Sequence, residues 1–137
     1  MKIFKNKLTL QKEITKDNCI SFIPTMGGLH KGHVSLIKKA MNFKCKILVS
    51  IFINPKQFSK RIDFQNYPKN INHDINVLKK LKIDYLYLPS FNDIYDFVPR
   101  NKVSLNKFSK QLCGRLRKGH FEGVLNVVNR FLEIIKP

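Results

Sequence analysis

Acidic side chains are scarce in this chain: 9 Asp and Glu stand against 26 Lys and Arg, leaving a formal charge of +17 and a pI near 10.0. Such a balance raises nucleic acid as a partner. The lysines, however, are spread through every segment and travel with Asn, Ile and Phe, which marks bulk composition rather than a recognition face. There is no recognition-helix signature, zinc pattern or aromatic–basic interleaving, so nucleic acid is disfavoured. Cysteine is equally sparse. Cys19, Cys45 and Cys113 are odd in number and widely spaced, with no CxxC pair. That excludes a disulfide framework and a zinc ribbon and reads as reduced thiols in a cytosol, with Cys19 and Cys45 in or near the core. Long hydrophobic runs are missing too. The longest, Ile47 to Ile53, is interrupted by Ser50 and is too short to span a bilayer. The basic start, Met1 to Lys7, leads into no apolar h-region. A soluble, cytoplasmic chain with no membrane partner is expected. Repeats, low-complexity tracts and inter-domain linkers are also lacking. At 137 residues and 43% hydrophobic, the chain reads as one domain, residues 1–137, with a real core.

What is present is concentrated in Pro24-Thr25-Met26-Gly27-Gly28-Leu29-His30-Lys31-Gly32-His33. The run follows the apolar stretch Ile20 to Ile23 and opens into a helical pattern with Val34, Ile37, Ala40 and Met41 on one face. Histidines three residues apart lie side by side on a first helical turn. Free backbone N–H groups and the positive end of the macrodipole already favour a phosphate there. Candidate nucleotide contacts are therefore Met26, Gly27, Gly28, Leu29, His30, Lys31, Gly32 and His33. Gly27, Gly28 and Gly32 remove side chains where the backbone must turn or approach a nucleotide closely.

Around this run the elements alternate. Lys7 to Lys16 predicts a short leading helix, and Cys19 to Ile23 a strand closed by Pro24. Lys46 to Ile53 predicts a buried parallel strand ending at Asn54-Pro55. A long loop, Lys56 to about Lys69, is expected to be functional and anchored by Phe58, Phe64 and Tyr67. Ile71, Ile75, Leu78 and Leu81 follow at helical spacing with Asn70 as cap, and Asp84 to Leu88 supplies a third strand. Beyond them come a loop with a helical turn from Pro89 to Lys102, a short strand at Val103 to Leu105 and a weak helix from Asn106 to Leu112. A strong helix begins near Phe121, with Val124, Val127, Val128, Phe131 and Ile135 on one stripe. Burying those side chains contributes ~1.5–3 kcal/mol each, so this helix needs a substantial partner surface. The alternation predicts an α/β fold with a parallel sheet, right-handed crossovers and helices on both faces. Ligands in such sheets bind beyond the carboxyl ends of the strands, so Pro24-Thr25-Met26 and Asn54-Pro55-Lys56-Gln57 should face one pocket. Lys31, Lys56, Lys60, Arg61, Arg115, Arg117 and Lys118 are the basic groups best placed in sequence to meet an anion. For His120 and Arg117, in the Gly-rich segment Gly114 to Gly123, a phosphate contact and a turn-and-cap role both stay open.

Four segments in order carry a resemblance: Pro24 to His33, Ser50-Ile51-Phe52-Ile53-Asn54-Pro55-Lys56-Gln57-Phe58, Asp63-Phe64-Gln65-Asn66-Tyr67-Pro68, and Gly119-His120-Phe121-Glu122-Gly123-Val124. Together they resemble the successive motifs of the pantothenate synthetase family, from about Ile20 to Pro137. The resemblance implies a Rossmann-like nucleotidyltransferase domain, truncated before its later strands and its small carboxyl-terminal domain. It implies an ATP-dependent ligase in which the pantoate carboxylate attacks the α-phosphate of ATP to give pantoyl adenylate and pyrophosphate. β-Alanine then displaces AMP to form pantothenate. His33 would be the proton donor with His30 beside it on the phosphates, and Gln57 and Asn54 would bind pantoate and β-alanine. Mg2+ would arrive on the ATP phosphates rather than in a protein cage, and a homodimer is implied. Lys56 stands where the family usually has Met, and Lys69 where it has Arg. The family's later Lys-Asp-x-Gln-Gln motif and Ser-Arg loop are not in this sequence, which predicts weak or no turnover by these residues alone.

Overall fold

In a computed structural model, residues 1–101, 103–105 and 119–137 are described. Regular elements run β1 (Lys2–Phe4), α1 (Lys7–Ile14), β2 (Ile20–Thr25), α2 (Lys31–Ala40), β3 (Lys46–Ile51), α3 (Arg61–Gln65), α4 (Ile71–Lys80), β4 (Tyr85–Tyr87), α5 (Phe91–Tyr95) and α6 (His120–Ile135). Short 3₁₀ turns follow α2 at Met41–Phe43 and β3 at Pro55–Gln57.

The strands form one parallel four-stranded sheet in the order β1-β4-β3-β2. Each strand of the inner pair is apolar on both sides. In β3, Leu48 points into a cluster with Leu10, Tyr87, Ile94, Val127 and Phe131, while Ile47, Val49 and Ile51 join Leu29, Ile37, Leu78 and Leu86 on the other face. Helices α1, α5 and α6 thus cover one face and α2 and α4 the other, as the near-continuous hydrophobic run of β3 requires. Phe131 anchors α6 on the sheet, its ring 5.4 Å from Phe22 and 6.3 Å from both Phe52 and Tyr87. Caps agree with the sequence where they were expected: Asn70 accepts the His73 N–H at 3.1 Å and starts α4.

Several expectations change. The first residues, Lys2–Phe4, are a strand, paired with Tyr85–Tyr87 at the sheet edge, a pairing too short and too distant in sequence to leave a periodic signal. β2 does not stop at Pro24 but continues to Thr25, because β2 is an edge strand and proline's missing N–H can face outward there. Met41 is 41% exposed rather than part of the α2 core face, since the chain tightens into a 3₁₀ turn at that point. Val103–Leu105 forms no strand. The helix expected at Asn106 to Leu112 lies outside the described residues, as do Cys113, Arg115, Arg117 and Lys118.

Cys19 and Cys45 are joined in a disulfide, with Cα atoms 4.9 Å apart, and Cys19 is exposed. This corrects the reading of buried free thiols. The cause is register: Ile20 pairs with Lys46, so the residues just before them arrive opposite each other. Spacing along the chain could not show it. The bridge closes a loop of sequence separation 26 that holds β2, the histidine run and α2. Among the described residues, no helix is long and apolar enough to cross a membrane.

Candidate functional site

The two segments expected to share a pocket do meet. β2 and β3 pair from Ile20↔Lys46 to Thr25↔Ile51, so Met26 and the turn after β3 leave the same sheet edge. Met26 Sδ accepts from the Gln57 amide Nε2, joining the two segments directly.

The turn after β2 is built by its own side chains. Thr25 Oγ1 donates to the Ser50 carbonyl at 2.8 Å and accepts the Gly27 N–H at 3.2 Å. Gly27 and Gly28 then adopt φ of +82° and +63°, where a Cβ would be strained. Gly32 also lies against His30. A Cβ there would lie 2.9 Å from His30 Cε1, so this glycine makes room for the imidazole.

His30 is the N-cap of α2 rather than a residue of its first turn. Its Nδ1 accepts the Gly32 N–H at 3.1 Å, and His33 Nδ1 accepts the His30 N–H at 3.4 Å. An imidazole nitrogen that accepts cannot carry the proton, so each neutral ring bears its hydrogen on Nε2. The rings sit 4.1 Å apart, centroid to centroid, as a pair of N–H donors at a helix N-terminus. His33 is half-buried. Its pKa is lowered by desolvation and by the neighbouring His30, with Asp74 acting in the opposite direction. It is thereby held neutral near pH 7, which preserves the backbone bond to Nδ1. Lys31 is exposed beside the pair, and Leu29 is buried beneath it.

Asn54 is fully buried, and its polar atoms are all engaged within the protein. Nδ2 donates to the Gly123 carbonyl at 3.1 Å and to Gln57 Oε1 at 3.3 Å, while Oδ1 accepts from Lys56 N–H and Tyr95 Oη. This amide, the one expected to meet a substrate, holds Gln57 and α6 in place. Gln57 is 6% exposed, and its carbonyl pairs with His120 Nδ1 at 2.8 Å. His120 therefore clamps the Gln57 backbone from the first turn of α6. Lys56 stretches its ammonium over the Tyr95 ring at 4.1 Å, with Arg130 Cζ 4.7 Å from the same ring. Phe58 contacts Phe64 and Tyr67 edge-on at 5.5 and 5.6 Å, the anchoring expected there, although α3 occupies the middle of the segment expected to be a long loop.

Sequence reasoning missed Asp74, Tyr95 and the closeness of Gly123. Asp74 had a readable signal: an acidic residue on the buried stripe of α4 that also carries Ile75 and Leu78. Tyr95 and Gly123 had none, because their partners lie on Asn54 and Lys56, far along the chain.

A parallel sheet that delivers a positive-φ glycine turn into a histidine-capped helix has the form of a Rossmann-like nucleotidyltransferase domain. Residues 2–137 match the family model described as Pantoate-beta-alanine ligase, and the chain belongs to that family. Among curated relatives, pantothenate synthetase of Fervidobacterium nodosum is 45% identical over 132 residues, covering 93% of this chain and 46% of that protein. That of Pseudothermotoga lettingae is 40% identical over 126 residues, covering 92% and 45%. The chain thus spans about half the length of the curated relatives it matches. The pantoate-beta-alanine ligase of Francisella tularensis, solved in complex with beta-gamma ATP and beta-alanine, superposes with a TM-score of 0.90 at 39% identity, over 100% of this chain and 54% of that one. Pantothenate synthetase from Thermus thermophilus gives 0.90 at 29% identity, over 100% and 50%.

Proposed function

We propose that this chain provides the ATP site of a ligase that condenses pantoate with β-alanine to pantothenate through a pantoyl-adenylate intermediate. The observation that carries the reading is the pair of imidazoles whose Nδ1 atoms are tied to backbone amides, leaving two Nε2–H donors at the head of α2. Such donors suit a triphosphate, and they strengthen as negative charge builds on the departing pyrophosphate. In the first step a pantoate carboxylate oxygen bonds to the α-phosphorus and the bond to pyrophosphate breaks, with the His33 Nε2–H donating a hydrogen bond to the phosphates as charge builds there. In the second, the β-alanine amine attacks the acyl carbon and AMP leaves. Gln57, fixed by Asn54, Met26 and His120, orients the acid substrates from beside the phosphates. Mg2+ belongs with the ATP phosphates: the donor set at the head of α2 consists of N–H groups, which favour anions rather than a cation.

Calorimetry with ATP and magnesium tests the site. Heat of binding is expected from the native chain and none after His30 and His33 are both changed to Ala; equal heats would sink the reading. The chain by itself is expected to turn over weakly, because the Lys-Asp-x-Gln-Gln and Ser-Arg motifs are not in its sequence. Robust AMP release with pantoate and β-alanine would contradict that. Homodimer formation and a cytoplasmic setting are part of the same proposal, the first tested by sedimentation.

A further inference from the structure

Asp74 is 2% exposed, yet its carboxylate meets no cation in any ion pair among the described residues. Its oxygens are taken up by main chain from the turn after β2. Oδ2 accepts the Gly28 N–H at 2.9 Å and Oδ1 accepts the Leu29 N–H at 2.8 Å. Charge-assisted bonds of this length are roughly twice as strong as neutral ones. The fit is tight from the other side as well, because a Cβ on Gly27 would lie 2.9 Å from Asp74 Oδ2. A carboxylate on α4 thus reaches across to the two residues immediately before His30.

We propose that Asp74 is a positioning residue for the nucleotide site: it binds the Gly28 and Leu29 amides and so sets where α2 begins and where His30 and His33 stand. This goes beyond the reading above and rests on it for the ligand alone. Occupying those two amides leaves the anion to the imidazoles and the free N–H groups at the head of α2. It also explains why two successive positive-φ glycines are needed, since the turn must bring consecutive N–H groups onto one carboxylate. The charged groups bearing on His33 are His30 on its own helix and Asp74 from α4, and Asp74 counters the depression that burial and His30 impose.

The test uses the 137-residue chain, with Asp74→Asn and Asp74→Glu. Calorimetric titration with Mg·ATP should show Asp74→Asn weakened by about ten- to a hundredfold, the scale expected when a reacting group is displaced by a fraction of an ångström to 1 Å. NMR titration should move the His33 midpoint to lower pH in Asp74→Asn. Asp74→Glu, which keeps the charge, should restore the midpoint more fully than the affinity. ATP binding within about twofold of the native value in folded Asp74→Asn, or an unmoved His33 midpoint, overturns the proposal. Amide exchange in the native chain tests it without a variant: slow exchange at Gly28 and Leu29 supports it, and exchange at unfolded-chain rates overturns it. If the native chain binds no ATP, the ligase reading fails, while slow exchange and a shifted His33 midpoint would still uphold the role of Asp74 in the turn.

Discussion

Replacing Gly123 by alanine sets helix propensity directly against packing. Gly123 lies in the first turn of α6, and its carbonyl accepts from Asn54 Nδ2 at 3.1 Å. A Cβ at this position would lie 2.4 Å from the Lys56 carbonyl oxygen, 2.6 Å from Gln57 Cα and 2.7 Å from the Lys56 carbonyl carbon. All three are backbone atoms, so no rotamer change relieves the clash. The start of α6 must withdraw by about 1 Å to reach ordinary van der Waals separation. That withdrawal stretches the Asn54 bond out of range and loosens His120 on the Gln57 carbonyl. Overpacking costs about 1–3 kcal/mol, and a buried amide left short of a partner costs about 1–3 kcal/mol more. Against this, alanine favours the helix by about 1 kcal/mol. Packing wins, and the net destabilisation is about 1–5 kcal/mol. At roughly 2.1 cal/mol/K of unfolding entropy per residue, each kcal/mol lowers Tm by about 3.5 °C, so a drop of about 4–17 °C is expected. Thermal unfolding followed by circular dichroism reads it. Gly28→Ala is the control, because a Cβ there meets nothing within 4 Å and only the φ of +63° is strained. A Gly123→Ala chain as stable as the native one would refute the claim that α6 and the Asn54–Gln57 turn are in backbone contact.

Three further outcomes are expected. Reducing the Cys19–Cys45 bridge frees a loop of sequence separation 26 in the unfolded state, so dithiothreitol should lower stability by about 3 kcal/mol in urea titrations, with Cys19→Ser/Cys45→Ser matching it; insensitivity to reductant would show that the bridge contributes nothing. His33 has a folded pKa below its unfolded value near 6.5, so the unfolded chain binds more protons between the two. Stability from this group is complete above pH 6.5 and is lost as pH falls through the folded value, and the part of the acid-induced loss between pH 7.5 and 5.5 that disappears in His33→Gln measures it. Tyr87 Oη and Ser50 Oγ are buried on adjacent paired strands without hydrogen-bond partners among the described residues, so Tyr87→Phe should leave stability unchanged or raise it by up to about 1 kcal/mol; a clear loss would reveal a partner for the hydroxyl.

Local chemistry was written in the chain wherever neighbours in sequence are neighbours in space. The Asn70 cap and the adjacency of His30 and His33 are of this kind, since each depends on bonds spanning three residues or fewer. The ordered motifs pointed to the family, and the match over residues 2–137 shows it. Distant pairings were decided by the tertiary structure alone. The β1–β4 ladder, the Cys19–Cys45 bridge and the Asp74 clamp each join residues brought together by sheet register or crossover, which leave no period in the sequence. The same holds for the fate of Asn54. Its position after β3 marked it for the site, yet only the packing of α5 and α6 shows its amide saturated by Tyr95 and Gly123, holding Gln57. Sequence determined which groups are candidates for the site; the folded chain determined which of them keep polar atoms free of partners within the protein, because a side chain's partners are settled only when every element has docked.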